Sequence, residues 1–105
     1  MTPEQRWAKA SLQRAERKGG ITINGIRLAA SERDRSLFAQ GLVLLRETED
    51  MLPDEPTKAA FRSSPQTITD SDGTPHTMTV TDLRALLVAY GAAYQAMWTA
   101  ANSQV

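Results

Sequence analysis

The sequence predicts an α+β domain in which a small antiparallel sheet packs against long helices, in the order helix, β-hairpin, helix, β-hairpin, helix. Asn24-Gly25 and Asp72-Gly73 each stand between short β-prone segments, and these dipeptides predict the two hairpins because they accept the positive φ angles of a tight turn. Three helix-start signatures predict the helices, and they begin at Thr2, Ser31 and Thr79.

Length and composition indicate one folded domain. The chain has 105 residues, with 41% hydrophobic and 23% charged residues, which is typical of a soluble domain with a single core. We predict one domain, 1–105, with an N-terminal helix over 1–19, two hairpins and an intervening helix over 20–80, and a C-terminal helix over 80–101. Twelve basic and twelve acidic residues cancel, so the net charge gives no general attraction to nucleic acid or anionic membrane and removes one barrier to self-association.

Several classes of protein are not expected. The sequence has no cysteine, so disulfides and thiolate metal sites are excluded. It has no 18-residue apolar run, and its first residues lack the basic-then-apolar layout of a signal peptide. These features predict synthesis in the cytoplasm and no membrane contact.

The first helix and hairpin have sharp boundaries in the sequence. Thr2 and Gln5 form a capping box, the helix should run to about Lys18, and Gly19-Gly20 should end it. In the hairpin, a type I′ turn at Asn24-Gly25 pairs Ile23 with Ile26 and Ile21 with Leu28, which puts four apolar side chains on one face.

The second helix is expected to be the central, most buried one. Its apolar residues follow helical spacing from about Glu32 to Leu52, a length of roughly 30 Å, and it should cover the apolar face of the first hairpin. Pro53 should end it. The next segment, 53–65, holds three prolines and predicts a loop with at most one helical turn, anchored by Phe61.

The second hairpin and the last helix complete the fold. Residues 66–69 and 76–78 flank the Asp72-Gly73 turn, and a capping box at Thr79 and Asp82 should begin the final helix. Gly91 stands in the middle of this helix at a cost of about 1 kcal/mol against Ala. We expect it where another element approaches the helix closely.

No catalytic constellation is evident, and the sequence predicts a protein that is not an enzyme and needs no cofactor, metal or small-molecule substrate. His76, Asp70 and Asp72 could be metal or acid–base partners, but a metal site needs three or four convergent ligands, so the sequence favours an ordinary turn in which Asp caps backbone amides and His lies on a strand. No serine stands in a nucleophile motif, and no glycine-rich phosphate loop is present.

Two groups of residues are candidate surfaces. A stripe on the last helix is either core or an interaction surface, since Tyr, Met and Trp are favoured at interfaces; it comprises Tyr90, Tyr94, Met97 and Trp98. A basic group on the first helix is a solvated face, a nucleic-acid contact or one end of a head-to-tail contact between copies; it comprises Arg6, Lys9, Arg14, Arg17 and Lys18.

The two hairpins also carry a family resemblance. Gly-Ile-Thr-Ile-Asn-Gly-Ile at 20–26 is followed by Ser31 and Asp34, an apolar helix, the segment Ile68-Thr69-Asp70-Ser71-Asp72-Gly73, a strand ending at Met78-Thr79, and a final long helix. This pattern resembles an uncharacterised domain family of bacteriophage and prophage tail proteins, often found at the end of tail-fibre or tail-fibre-assembly proteins. The likeness covers roughly residues 5–100. The family's usual strand–turn motif is Trp-Lys-x-x-Asp-Gly, and here Ile68 and Thr69 replace its Trp and Lys.

The resemblance implies a tail or tail-fibre-associated structural protein of the virion, made in the cytoplasm of a bacterial host. Its partners would be other tail proteins and copies of itself. The alternatives are an assembly chaperone or adaptor that does not stay in the virion, and a nucleic-acid-binding regulator that uses the first helix. No catalytic residues are known for the family, so none is implied.

Overall fold

The computed structural model describes residues 2–102, with the backbone alone at residue 18. Over these residues the chain forms four α-helices and two β-hairpins in the predicted order, which confirms the α+β class. The elements are α1 (Pro3–Arg14), a π-helical turn (Ala15–Gly19), β1 (Ile21–Ile23), β2 (Ile26–Leu28), α2 (Glu32–Asp50), α3 (Glu55–Arg62), β3 (Pro65–Thr69), β4 (Pro75–Thr79) and α4 (Val80–Asn102). Met1, residues 103–105 and the side chain of Lys18, which belong to the predicted domain and basic group, lie outside the described residues.

The three helix caps form as the sequence predicts. The Thr2 hydroxyl accepts from the Gln5 amide at 3.1 Å, and the Gln5 side chain accepts from the Thr2 amide at 2.9 Å. Ser31 Oγ accepts from the Asp34 amide at 3.2 Å, and Thr79 Oγ1 accepts from the Asp82 amide at 3.2 Å. Each bond satisfies an amide that the first helical turn leaves without a partner.

The register of the first hairpin is confirmed. Ile21 pairs with Leu28 and Ile23 with Ile26, and the turn residues Asn24 and Gly25 have φ angles of 51° and 80°. The second hairpin pairs β3 with β4 over five residue pairs, from Pro65 and Thr79 to Thr69 and Pro75. Each hairpin is its own two-stranded sheet.

The hairpins are tied together at one point. The Ser71 amide donates to the Arg27 carbonyl at 2.8 Å, which joins the second turn to β2. The Arg27 guanidinium in return donates to Ser71 Oγ at 2.8 Å and to Asp72 Oδ1 at 2.5 Å. The chain segment that holds the second turn is thereby fixed against the first hairpin.

The central helix is α4, and the prediction that α2 would be the most buried element is wrong. The main apolar cluster joins the first hairpin to α4, and its buried members are Ala15, Ile21, Leu28, Ala30, Leu83, Leu86, Leu87 and Tyr90. None of the α2 residues is buried. The apolar face of the first hairpin is therefore covered by α4, because α4 is apolar over a wider arc and contacts every other helix.

The segment predicted as a loop holds the helix α3, so that prediction is also wrong. Asp54 Oδ1 accepts from the Thr57 amide at 2.9 Å and begins the helix. Pro56 is compatible with this helix because first-turn amides have no helical partner. The expected anchor Phe61 is only partly buried, whereas Arg62 contacts both Glu55 and Glu49. Glu49 also binds Arg84, which links α2, α3 and α4.

The predicted end of the first helix is confirmed, because helical structure ends at Gly19, although Ala15–Gly19 is a π-helical turn and α-helical geometry ends at Arg14. The expectation for Gly91 needs correction. Gly91 has no closely approaching element, since a Cβ built there meets no atom within 4 Å. It borders an open groove instead.

Candidate functional site

The most unusual surface of the molecule is an exposed apolar face on α2. Leu37, Val43, Leu44 and Met51 are 52%, 49%, 65% and 84% exposed. Helical spacing places these residues on the outward side of α2, while Phe38, Leu42 and Leu45 pack inward. We call this outward side the α2 face, which comprises Arg33, Leu37, Gln40, Val43, Leu44, Glu47 and Met51.

A groove of about 310 Å³ runs beside the α2 face, along the line where α2 meets α4. Its apolar lining includes Phe38, Ala39 and Leu42 from α2, with Val88, Gly91 and Ala92 from α4. Val88 is 56% exposed. The apolar surface therefore continues from the α2 face onto α4, and the missing side chain at Gly91 helps to keep the groove open.

One end of the groove is fixed by a polar cluster. The Arg35 guanidinium carbon lies 3.9 Å from the centroid of the Tyr94 ring, a cation–π arrangement. Glu16 accepts from Arg35 at 3.2 Å and from the Tyr94 hydroxyl at 2.7 Å. The π-helical turn, α2 and α4 are thus joined by three side chains, each of which has a partner within the cluster.

The predicted stripe on the last helix divides between core and surface. Tyr90 is only 3% exposed, its hydroxyl donates to the Ala29 carbonyl at 2.7 Å, and its ring meets Phe38 edge-on at 5.0 Å. It cannot belong to an interaction surface, so that part of the prediction is corrected. Tyr94 and Met97 are partly buried against both apolar clusters. Trp98 is 48% exposed and alone of the four points largely to solvent.

Burial gives the two tyrosines a testable signature. Desolvation raises the pKa of Tyr90 to about 12, and desolvation followed by the bond to Glu16 raises the pKa of Tyr94. An unfolded tyrosine ionises near pH 10. The contribution of these two tyrosines to the free energy of unfolding should therefore be constant below pH 10 and should fall above it. We expect absorbance at 295 nm to show ionisation of the folded protein above pH 10 in two steps, and Tyr90→Phe should remove the later step.

The control for this titration is circular dichroism at each pH, which shows that the chain is still folded while the tyrosines ionise. A Tyr90→Phe curve that matches the wild-type curve after scaling would contradict the assignment, because the two phenols would then be equivalent.

The acidic turn of the second hairpin is structural. Asp70 Oδ1 accepts from the amides of Asp72 and Thr74, each at 2.9 Å, and Oδ2 lies 2.7 Å from His76 Nε2. Both carboxylate oxygens are therefore used in closing the turn. Within the part of the chain that the structure describes, no group of three His, Cys, Asp or Glu residues could hold a metal ion.

The hydrogen bonds of the Asp70 carboxylate predict that the free energy of unfolding falls at acidic pH. The bond to His76, together with the amides of Thr74 and Asp72, holds the pKa of Asp70 below its ordinary value of 3.8. A lowered carboxyl pKa stabilises the fold above pH 4, and this contribution is lost as pH falls through the folded pKa. We expect Asp70→Asn to unfold at lower urea concentration than wild type at pH 6, and the gap should narrow as the pH falls to 2. A gap that is independent of pH would show that the charge of Asp70 is irrelevant.

The described side chains of the basic group lie on α1 and on the π-helical turn, and they are exposed to solvent. Arg6, Lys9, Arg14 and Arg17 are exposed, and Trp7 beside them is 72% exposed. A solvated face, a nucleic-acid contact and a contact between copies all require exposed side chains, so this exposure does not distinguish between the three interpretations.

The α2 face is the feature that sequence reasoning missed. Phe38, Leu42 and Leu45 follow helical spacing and form one apolar side of α2. Leu37, Val43 and Leu44 lie outside that side, so the helix is apolar over a wider arc than one packed side requires. That excess is the signal that could have shown a second apolar side.

Among residues 2–102, no helix is long and apolar enough to cross a membrane.

The comparisons with known proteins find no relative of this chain. Searches against protein-family models, curated proteins and solved structures find no match to this chain.

Proposed function

We propose that this chain is an assembly protein that acts by protein–protein contact, as a structural component of a bacteriophage or prophage tail. The observation that carries the proposal is the α2 face. A contiguous exposed apolar area on a folded chain is typical of a contact surface, because leaving it in water is unfavourable. Val43 and Leu44 belong to it and are 49% and 65% exposed.

The chemistry of the α2 face favours contact over catalysis. The groove beside it, between α2 and α4, is lined by aliphatic and aromatic carbon, and the only charged side chain in that lining, Arg35, is engaged by Glu16 and the Tyr94 ring. The polar groups at Asp70 and His76 close a turn. We therefore propose a role without catalysis, cofactor or small-molecule substrate.

The tail setting rests on the resemblance carried by the two hairpins. The residues of that likeness form turns and core contacts, such as Asn24-Gly25 and Ile21, so they support a shared fold more than a shared surface. The proposal places the mature protein in the virion tail after synthesis in the bacterial cytoplasm, with other tail proteins and copies of itself as partners.

The test is mass spectrometry of purified phage particles from a host that produces this chain. We expect the chain in particles at a stoichiometry comparable to other tail proteins. Leu44→Glu should reduce its incorporation, whereas Trp7→Glu, an equally exposed change on α1, should not. Absence of the wild-type chain from particles would refute the structural role.

A second candidate function, a transient tail-fibre adaptor, is favoured by Trp98. This residue is 48% exposed near the end of α4, and Trp is enriched among residues that dominate binding energy. A co-expression pull-down with a fibre protein separates the two roles. The adaptor role predicts a complex that Trp98→Ala weakens at least tenfold and that is absent from finished particles, with Trp7→Ala as the control.

A further inference from the structure

We infer that a second copy of this chain covers the α2 face, with the two α2 helices antiparallel about a two-fold axis at Gln40. The inference deepens the proposed function, because it rests on the α2 face being a contact surface and names its partner. Three independent observations support a second copy: the exposed area, the register of apolar and charged residues around Gln40, and the charge at the end of α2.

The exposed area of this elongated molecule, which measures 53 × 30 × 21 Å, is larger than that of a typical monomer of its mass. The solvent-accessible surface is 6939 Å², whereas a monomeric protein of 11.5 kDa exposes about 5,800 Å². The excess of about 1,100 Å² compares with the roughly 800 Å² that each partner buries in a standard stable interface. The radius of gyration, 16.1 Å against about 13 Å for a typical domain of 105 residues, agrees with this excess.

Five of the seven residues of the α2 face are self-complementary when the face is reversed about Gln40, whereas the positions that mirror Leu44 and Met51 are Ser36 and Ala29. Leu37 and Val43 lie three residues on either side, so each meets the other across a two-fold axis. Arg33 and Glu47 lie seven residues on either side, two helical turns away, so each arginine meets the partner's glutamate. All five side chains are outside the core, and the Gln40 amides of the two copies can bond to each other at the axis.

The charge at the end of α2 also favours an antiparallel partner. The last turn of the helix has no basic residue, and Glu47 and Asp50 stand near its negative end. An antiparallel copy brings the positive end of its own α2, with Arg33, to this point. Arg62 and Arg84 already pair with Glu49 at this end of α2, and the second copy adds a cation opposite Glu47.

A matched cysteine pair tests the geometry, since the natural sequence has no cysteine to interfere. Gln40→Cys should form a disulfide between copies within minutes under mild oxidation, because the two sulfurs meet at the axis. Arg46→Cys is the control: residue 46 is exposed but lies on the flank of α2, away from its counterpart in the other copy. Equal cross-linking at the two positions, or none at Gln40→Cys, would overturn the proposed register.

Sedimentation equilibrium of the full chain tests the association itself. We expect a mass of about 23 kDa, twice the 11.5 kDa of one chain, and at least a tenfold weaker dimer for Leu44→Glu but not for Trp7→Glu. Arg33→Glu and Glu47→Arg should each weaken the dimer, and the double variant should recover most of the loss. Far-ultraviolet circular dichroism of each variant shows that the fold is kept.

The outcomes separate this inference from the proposed function. A wild-type chain that stays monomeric at 100 µM overturns the inference, and if Leu44→Glu still blocks entry into particles, the α2 face contacts a different tail protein. A dimer of the expected register that never enters particles supports the inference and refutes the tail role. Failure of the charge-reversed pair to recover association would overturn the antiparallel arrangement.

Discussion

Replacing Leu28 by alanine should lower the free energy of unfolding by about 3–4 kcal/mol, the range for a leucine removed from a well-packed core. Leu28 is 0% exposed and lies where the first hairpin packs on α4. The main buried cluster has eight buried members, and Leu28 is the most completely buried of them, so its removal leaves a cavity inside the cluster. A domain of this size has about 5–15 kcal/mol of stability in total, and the loss should therefore be visible as a large fall in the unfolding midpoint.

Urea unfolding followed by circular dichroism measures this change. The protein concentration is held constant, because association of copies would add to the apparent stability. Trp7→Ala is the control: it removes a larger apolar side chain that is 72% exposed, so its cost should stay below about 1 kcal/mol. A loss below 1 kcal/mol for Leu28→Ala would show that the cluster between hairpin and α4 is not the core.

Replacing Gly20 by alanine should also have a large effect and should lower the free energy of unfolding by about 3 kcal/mol or more. Gly20 has φ 63° and ψ −167°, a backbone conformation that is almost restricted to glycine. A Cβ built there would lie 2.5 Å from the Leu28 carbonyl oxygen. The clash is with backbone, so relief requires the first hairpin to move away from the π-helical turn.

Gly25→Ala is the matched control for this substitution. Gly25 also has a positive φ, 80°, yet nothing lies within 4 Å of a Cβ built there. Its cost should be about 1 kcal/mol, that of the left-handed conformation alone. The difference between the two variants then measures the backbone contact together with the less accessible backbone conformation of Gly20. Equal losses would contradict the close approach of residues 20 and 28.

The first hairpin could be predicted to the residue because its determinants are local. Asn24-Gly25 fixes the turn, the turn fixes the register, and alternation then places Ile21 and Leu28 on one face. The helix starts at Thr2, Ser31 and Thr79 were predictable for the same reason. Each of these features depends on a few neighbouring side chains.

The identity of the central helix could not be predicted in this way. Both α2 and α4 carry apolar residues on more than one side, and local spacing does not say which of them the rest of the chain surrounds. The α3 helix was missed because Pro53 and Pro56 indicate a loop, whereas Asp54 caps a helix that accommodates Pro56 in its first turn.

The candidate site could not be predicted from the amphipathic pattern of α2. Helical spacing does not distinguish an apolar residue that is buried by its own chain from one that is exposed and available to a partner. Tyr90 and Leu44 illustrate the difference. Tyr90 is typical of an interface residue but is fully enclosed, and Leu44 is typical of a core residue but is 65% exposed. Only the packing of α4 against the hairpin decides between them.

The position of α4 along the chain has a consequence for biosynthesis. The side chains that cover Ile21 and Leu28 belong to residues 83–90, and they leave the ribosome some sixty residues after the hairpin does. The hairpin can form its turn early, but its apolar side remains exposed to solvent until α4 has been synthesised. Nascent chains of this protein are therefore expected to stay open to proteases and chaperones until α4 emerges, and folding is then expected to be a late, single event.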